Sequence, residues 1–466
     1  MLVAAVSRLV MFMKYPLAVT VAVLAISFAA VSQSSDSALK SVRQKDRASR
    51  SVDGKLQTLS AAEHLARGQA LFDNRHFPEA REHFHKIFDN YPADPAMAPA
   101  LFMTGRSYYW ERDYATAIRY FERVSREYAG VKDGREGLYF DASCNLRIGK
   151  NDEAARLWQQ YTVMYPTGER IDGSYVNTID ALREAGRYDD ADAWVEKTRA
   201  RFSGLPAEMN ALHARLRMEI FRQRWSEAIR AADDLLALGK FSGAMTGSDE
   251  VKFLKATALE KAGRRGEAMA VYSSISSSAS SYFGGLAADR TSKSGRVRNI
   301  AQVTPTDFPA PFHAEVTQEA KKRGIDPRFV LAIMKQESTF RADAKSPSAA
   351  RGLLQLTFDT ALKYNSQAGY ANLQPDDLYT PRTNIAIGCE YIAALRSQFG
   401  GLYEAIAASY NGGEDNAARW LNRSQPKEAG IFASEIGFAE TKNYVFKVMT
   451  NYRIYRDLYD ENLNRK

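Results

Sequence analysis

Glu337 is the residue of this 466-residue chain whose type and position together ask for chemistry. It closes a helix whose start is easy to read: Asp326 is a candidate N-cap and Pro327 fits the first turn, where a missing N–H costs nothing. The pattern predicts a helix running to about Ser338. Within it Val330, Ile333, Met334 and Glu337 fall at i, i+3, i+4 and i+7, so an acid sits on the stripe that otherwise faces the core. Burial disfavours the charged form of a carboxyl and raises its pKa, so a Glu held there stays protonated near neutral pH and can act as a general acid. Periodicity alone leaves a second reading open, a helix-end Glu that bends to solvent or satisfies a nearby donor.

The residues around Glu337 add a resemblance. Glu337-Ser-x-Phe340 is followed by Ser346, nine positions past the acid, and by Arg351-Gly-Leu-Leu-Gln-Leu-Thr-Phe-Asp-Thr-Ala361. Further blocks are Pro381-Arg-Thr-Asn-Ile-Ala-Ile-Gly-Cys-Glu-Tyr391, Ala405-Ile-Ala-Ala-Ser-Tyr-Asn-Gly-Gly413 and Glu435-Ile-Gly-Phe-Ala-Glu-Thr-Lys-Asn-Tyr-Val445. In order and spacing these four blocks resemble the soluble lytic transglycosylase family. The resemblance implies a compact, lysozyme-like fold of helices around a sugar groove, with peptidoglycan glycan strands as substrate. It implies that Glu337 protonates the bond between N-acetylmuramic acid and N-acetylglucosamine, then acts as base while the sugar's own C6 hydroxyl closes a 1,6-anhydro ring.

That route needs no second carboxylate, whereas a two-carboxylate glycosidase does. The nearest acids in sequence, Asp343, Asp359, Asp376 and Asp377, each read as loop, turn or helix-surface residues. By the same resemblance Ser346 lies near the muramoyl acetamido group, Gln355 and Asn411 line the groove, the Tyr410 hydroxyl stands near the acid, and Glu440 contacts sugar. Taken one at a time they also read as a loop serine, a surface glutamine, a helix-end Tyr-Asn pair and a helix N-terminal glutamate.

Four positions depart from the family pattern: Ala349 for Gly, Leu354 for Met, Phe358 for Pro and Gly437 for Pro. Leu354 keeps an apolar groove wall of similar volume. Ala349 would be strained if its turn requires a positive φ. Two rival functions share the residues, a goose-lysozyme-like muramidase that releases a reducing sugar and a glycan-binding scaffold that cuts nothing. No metal-ligand spacing or phosphate-cradling glycine loop occurs, so no metal or cofactor is expected.

The elements that must position these residues begin well upstream. Residues 1–32 carry Arg8 and Lys14 without an acid, then an apolar run from Tyr15 to Val31. This reads as an export signal or a retained N-terminal membrane anchor, and places the body outside the cytoplasm, in the periplasm or cell envelope. Residues 33–59 are rich in Ser, Lys, Arg, Gln and Asp and read as a flexible leader.

From there the pieces ending in Ala80, Ala117, Ala154, Ala191, Ala228 and Ala268 recur at intervals of 37, 37, 37, 37 and 40 residues. Such a period marks stacked helical hairpins and resembles tetratricopeptide repeats. A small Ala at the start of each second helix lets the helices approach closely, and aromatics such as Phe84, Tyr120, Trp158 and Trp194 are expected to fill the space between hairpins. The curved array reads as a scaffold or glycan-channel wall, with recruitment of a protein partner as the alternative.

The expected architecture is therefore all-α. A repeat superhelix at 60–290 and a linker at 291–310 precede the catalytic domain at 311–466, whose pattern is helical and compatible with one small β-hairpin. Tyr282-Phe-Gly-Gly-Leu-Ala287 reads as a docking helix before the linker and is similar to a joining piece of the same family. A net charge of +8 and pI near 9.2 favour anionic partners in general, while the absence of a concentrated basic block argues against nucleic acid. Cys144 and Cys389 belong to different expected domains and read as two separate buried thiols.

Overall fold

The computed structural model describes residues 39–276, 278, 281–291 and 306–466. The segment expected as signal or anchor, the first part of the leader and most of the expected linker lie outside the described residues. Among the described residues the regular structure is helical, and β pairing is confined to isolated bridges such as Lys345 with Arg351 and Arg351 with Leu356.

Six antiparallel hairpins follow one another: Ala61–Asp73 with Phe77–Asn90, Met97–Trp110 with Tyr114–Glu127, Lys132–Arg147 with Asn151–Met164, Ile171–Glu184 with Tyr188–Arg201, Pro206–Phe221 with Trp225–Leu238, and Ser248–Lys261 with Arg265–Ser273. Each recurring sequence piece opens a second helix, and its alanine is sealed between helices, with at most 1% of its surface exposed in all six. Gly68 and Gly105 show why small residues face the core aromatic of the second helix: a Cβ added there would come within 2.4 Å of Phe84 and 2.7 Å of Phe121 respectively.

The aromatic register differs from the expected one at two positions. Phe84 and Trp158 fill the core, but their equivalents are Phe121 and Val195, while Tyr120 and Trp194 stand half-buried one residue earlier. The repeat spacing of 37 residues carries Phe84 to Phe121, not to Tyr120.

The stretch expected as a flexible leader is also more ordered than its composition suggests. Residues 39–48 form a helix, Leu39 and Val42 are buried against the first hairpins, and Asp46 pairs with Arg67 at 2.7 Å and His83 at 3.2 Å. A composition that cannot make a core alone is ordered here by the face of its neighbour.

The C-terminal half is organised around the helix Pro327–Glu337. Asp326 caps it by accepting from Arg328 N at 2.9 Å, and Phe329 to Met334 are fully buried. It lies along the long helix Ala439–Leu458. Around the pair stand Phe358–Ala368, Pro381–Gln398, Tyr403–Gly412, Glu414–Arg423 and the short Ala429–Glu435.

The repeat array and this half share a tightly paired interface. Arg183 and Arg217 hold the two oxygens of Glu435 at 3.0 and 2.8 Å, Lys442 meets Glu250 at 2.7 Å, and Arg453 meets Asp289 at 2.5 Å. Tyr282, on the expected docking helix Tyr282–Thr291, donates to Glu404 at 3.1 Å. Cys144 and Cys389 are separate, buried and free.

Candidate active site

Glu337 is the last residue of its helix, so its side chain leaves the core stripe at the helix end while protein still surrounds it. It keeps part of its surface open. Burial lifts its carboxyl from the usual 4.5 to about 7, a hydrogen bond from Tyr444 acts against the rise, and the charge of Glu440 adds to it. The Tyr444 hydroxyl donates to Glu337 Oε1 at 2.6 Å. With Oε1 engaged as an acceptor, Oε2 is the oxygen left to carry the acid proton.

The loop after this helix turns sharply through Thr339 and Phe340, both at positive φ, and is bound back by Ser338 Oγ donating to Leu353 O at 2.8 Å. Ser346 Oγ accepts from Ala350 N at 3.1 Å, which closes a turn and leaves the hydroxyl proton to donate elsewhere. Within that turn Ala349 has φ +58°, so the conformation that favours glycine is present with a Cβ on it. Gln355, also at positive φ, spends its amide N–H groups on Ala344 O at 3.0 Å and Gly352 O at 2.8 Å, so its Oε1 is the atom left to accept.

Tyr410 is in place but its hydroxyl has another use. It donates to Leu354 O at 2.7 Å, so it braces the loop that carries Gln355. Burial and then the charge of Glu337 push its phenol well above the ordinary value. The tyrosine whose hydroxyl touches the acid is thus Tyr444, which stands in the closing sequence block but is not marked by its spacing. Leu354 also differs from expectation: it is fully buried against Gly388 and serves as core, not groove wall.

Asn411 is exposed, and its Oδ1 accepts from Thr441 Oγ1 at 2.7 Å, which ties the Tyr410–Asn411 segment to the start of the helix bearing Glu440 and Tyr444. Glu440 is exposed in that first turn. Sequence reasoning also passes over Asn384. Its buried amide receives Leu354 N at 2.8 Å and donates to Arg351 O at 2.9 Å and Leu378 O at 2.8 Å, pinning the Arg351–Gln355 loop. The one signal for it is a lone Asn inside the apolar run that follows Pro381.

Of the four acids considered as a second carboxylate, Asp359 is paired with Arg75 at 2.7 Å and Asp377 accepts from Gln374 N at 2.7 Å. Glu440 is the carboxylate whose charge Glu337 feels. The assembled site is a half-buried acid with an adjustable proton, a tyrosine fixing one of its oxygens, and amide and hydroxyl groups on braced loops beside it.

Residues 315–432 match the family described as Transglycosylase SLT domain, and residues 65–131 and 102–169 match Tetratricopeptide repeat. The soluble lytic murein transglycosylase of Salmonella typhimurium is 33% identical over 153 residues, which are 32% of this chain and 23% of that protein. The membrane-bound lytic murein transglycosylase C of Cronobacter sakazakii is 30% identical over 162 residues, 30% of this chain and 45% of that protein. The matched segment thus spans less than half the length of either relative. A solved structure of the lytic transglycosylase Slt from Pseudomonas aeruginosa, an inactive mutant, shares the fold with TM-score 0.50 and 17% identity over 84% of this chain and 80% of that one.

Proposed function

We propose that this chain, which carries a transglycosylase SLT domain behind tetratricopeptide repeats, is a peptidoglycan lytic transglycosylase of the cell envelope. The observation that carries the reading is the state of Glu337, a carboxyl raised to about 7 and held through one oxygen by Tyr444. Such a group is protonated often enough near neutral pH to act as an acid, and its conjugate base is strong enough to take the proton back.

In the proposed reaction Glu337 Oε2 gives its proton to the glycosidic oxygen between N-acetylmuramic acid and N-acetylglucosamine, and the C1–O bond breaks. The substrate's own acetamido group stabilises the positive centre, with Ser346 beside it. The Glu337 carboxylate then takes the C6 hydroxyl proton as that oxygen bonds to C1, and the acid is regenerated with no water consumed. Intramolecular attack has a large proximity advantage. Gln355, Asn411 and Glu440 bind sugar in this reading, while Tyr410 braces the loop. The pairing of Asp359 and Asp377 with other groups supports a route that uses one carboxylate.

The domain division follows: repeats at 60–290, a connector at 291–310 and the catalytic unit at 311–466. Envelope location is supported by the apolar run near the N-terminus and by a relative described as membrane-bound. The interface ion pairs favour the array as a scaffold and wall of the catalytic unit. Cell-wall remodelling or turnover is the expected use.

Mass spectrometry of soluble products from peptidoglycan, beside a Glu337→Gln control, tests the proposal. Muropeptides ending in 1,6-anhydromuramic acid, absent with the control, are expected. Reducing-end products would make the chain a muramidase, and bound but uncut glycan would make it a binding scaffold.

A further inference from the structure

A cavity of about 820 Å³ separates successive hairpin turns of the repeat array from the helix Glu414–Arg423, away from Glu337. Its charges are unevenly matched. At one end Arg112 is paired with Glu414 and Asp415, and Tyr114 donates to Asp415 at 2.8 Å.

At the other end Arg147 has no ion-pair partner among the described residues. Its Nη2 donates to the Tyr109 hydroxyl at 2.8 Å, and its buried Nε has no hydrogen-bond partner among the described residues. Among the described residues Arg419 has one ion pair, with Glu184 Oε1 at 3.2 Å, and that same oxygen is held by Arg423 at 3.0 Å. Burial lowers the Arg419 pKa to about 10; the charges of Glu184 and Asp180 offset part of the fall, and those of Arg423 and Arg147, which line the same cavity, add to it. Buried like charges without enough counter-charge are unfavourable unless an anion joins them.

Two further features shape what that anion is attached to. Asn151 Oδ1, also on the cavity wall, is buried without a partner among the described residues and asks for a hydrogen-bond donor, which a fully deprotonated anion does not offer and a peptide N–H does. The volume exceeds what a single small ion fills, and it falls in the usual range for organic ligands.

We propose that Arg147 and Arg419 bind a carboxylate of a short peptide of the kind that branches from peptidoglycan strands, with its amide N–H groups directed to Asn151. The identification of the peptide rests on the transglycosylase reading. The site lies within reach of the groove segment along the chain, since the helix that floors the cavity begins three residues after Asn411. The repeats then take part in substrate choice, selecting strands that carry peptides with free carboxylates.

Calorimetric binding of an uncleavable anhydro-muropeptide with free peptide carboxylates tests this, using the full chain and Arg147→Gln. Arg147 leaves no carboxylate orphaned when removed, and Arg419→Gln provides a second variant. The expected result is binding weakened about tenfold or more in each variant, the loss of one charged hydrogen bond. The same muropeptide with amidated carboxylates should bind wild type and variants alike, and peptide-free glycan should be cut at the wild-type rate by Arg147→Gln. Equal affinity of wild type and both variants for the carboxylated probe would overturn the proposal. So would competition by inorganic phosphate as strong as that by the peptide, which would mean a small-anion site. Failure of wild type to release 1,6-anhydro products from intact peptidoglycan would count against the transglycosylase reading, while the binding comparison would still decide this one.

Discussion

Arg75 grips Asp359 with two hydrogen bonds, Nε to Oδ1 at 2.9 Å and Nη2 to Oδ2 at 2.7 Å, across 284 residues of sequence. It does so from a backbone with φ +64°. The equivalent turn positions of the other hairpins are Arg112, Gly149, Gly186, Gln223 and Gly263, all at positive φ. Half of the six are thus glycine, the residue that suits the conformation. Both arginines form ion pairs with the C-terminal half, Arg75 just past Gln355 and Arg112 just past Asn411. Backbone strain at these turns accompanies a grip on the two segments that border the proposed groove.

This separates two substitutions of Arg75. Arg75→Ala loses the ion pair and keeps the strained φ, so it should destabilise by about 1 kcal/mol. Arg75→Gly loses the same pair but relaxes the turn, so its thermal unfolding should stay close to wild type. Both should raise KM for glycan, and adding Asp359→Asn should raise it little further. Equal stability of the Ala and Gly variants would mean the turn holds no strain.

Ala349 is a second strained position, with φ +58° in the turn closed by Ser346. Ala349→Gly should stabilise the protein by about 1 kcal/mol in denaturant unfolding and leave product identity unchanged. A loss of stability would show that the buried Ala methyl contributes more by packing than its backbone costs.

The pH dependence of cleavage should report Glu337 from two sides. Tyr444 stabilises the charged carboxylate, so Tyr444→Phe should move the alkaline limb of the rate profile upward by roughly half to one unit. The charge of Glu440 favours the protonated acid, so Glu440→Gln should move that limb downward. Shifts in the same direction would contradict this arrangement.

Stability should follow the same group. A carboxyl at about 7 when folded and 4.5 when unfolded binds more proton in the folded state, so that contribution is present below pH 4.5 and is lost as pH rises through 7. Glu337→Gln has no such proton to lose. Its thermal midpoint should therefore exceed that of wild type above pH 7 and converge on it in acid.

Glu435 opens the closing sequence block yet faces Arg183 and Arg217 of the repeats, with Arg423 of its own half completing the surround. These arginines hold its carboxyl down to about 2, against burial and the charge of Asp180, both of which push it up. Glu435→Gln leaves buried guanidiniums short of a partner and should destabilise the protein by about 3–5 kcal/mol in denaturant unfolding. For the same reason residues 311–466 expressed alone should be poorly soluble, which a truncation series measured by soluble yield would check.

What was legible from sequence lies on single elements. The hairpin period, the buried alanines and the stripe that ends at Glu337 depend on neighbours three, four or seven residues away, and helical geometry makes such neighbours predictable. Motif order brought Ser346, Gln355, Tyr410, Asn411 and Glu440 to attention by resemblance. What the tertiary structure decided is which group each one meets. Tyr444 and Glu337 are 107 residues apart, and whether the acid receives the hydroxyl of Tyr444 or of Tyr410 depends on how the Ala439–Leu458 helix is rotated against Pro327–Glu337. The pairing of Arg75 with Asp359, the lone charge of Arg147 and the register that buries Phe121 rather than Tyr120 arise in the same way. Each depends on the angle and stagger between elements distant in sequence, which packing of whole faces sets and local spacing does not encode.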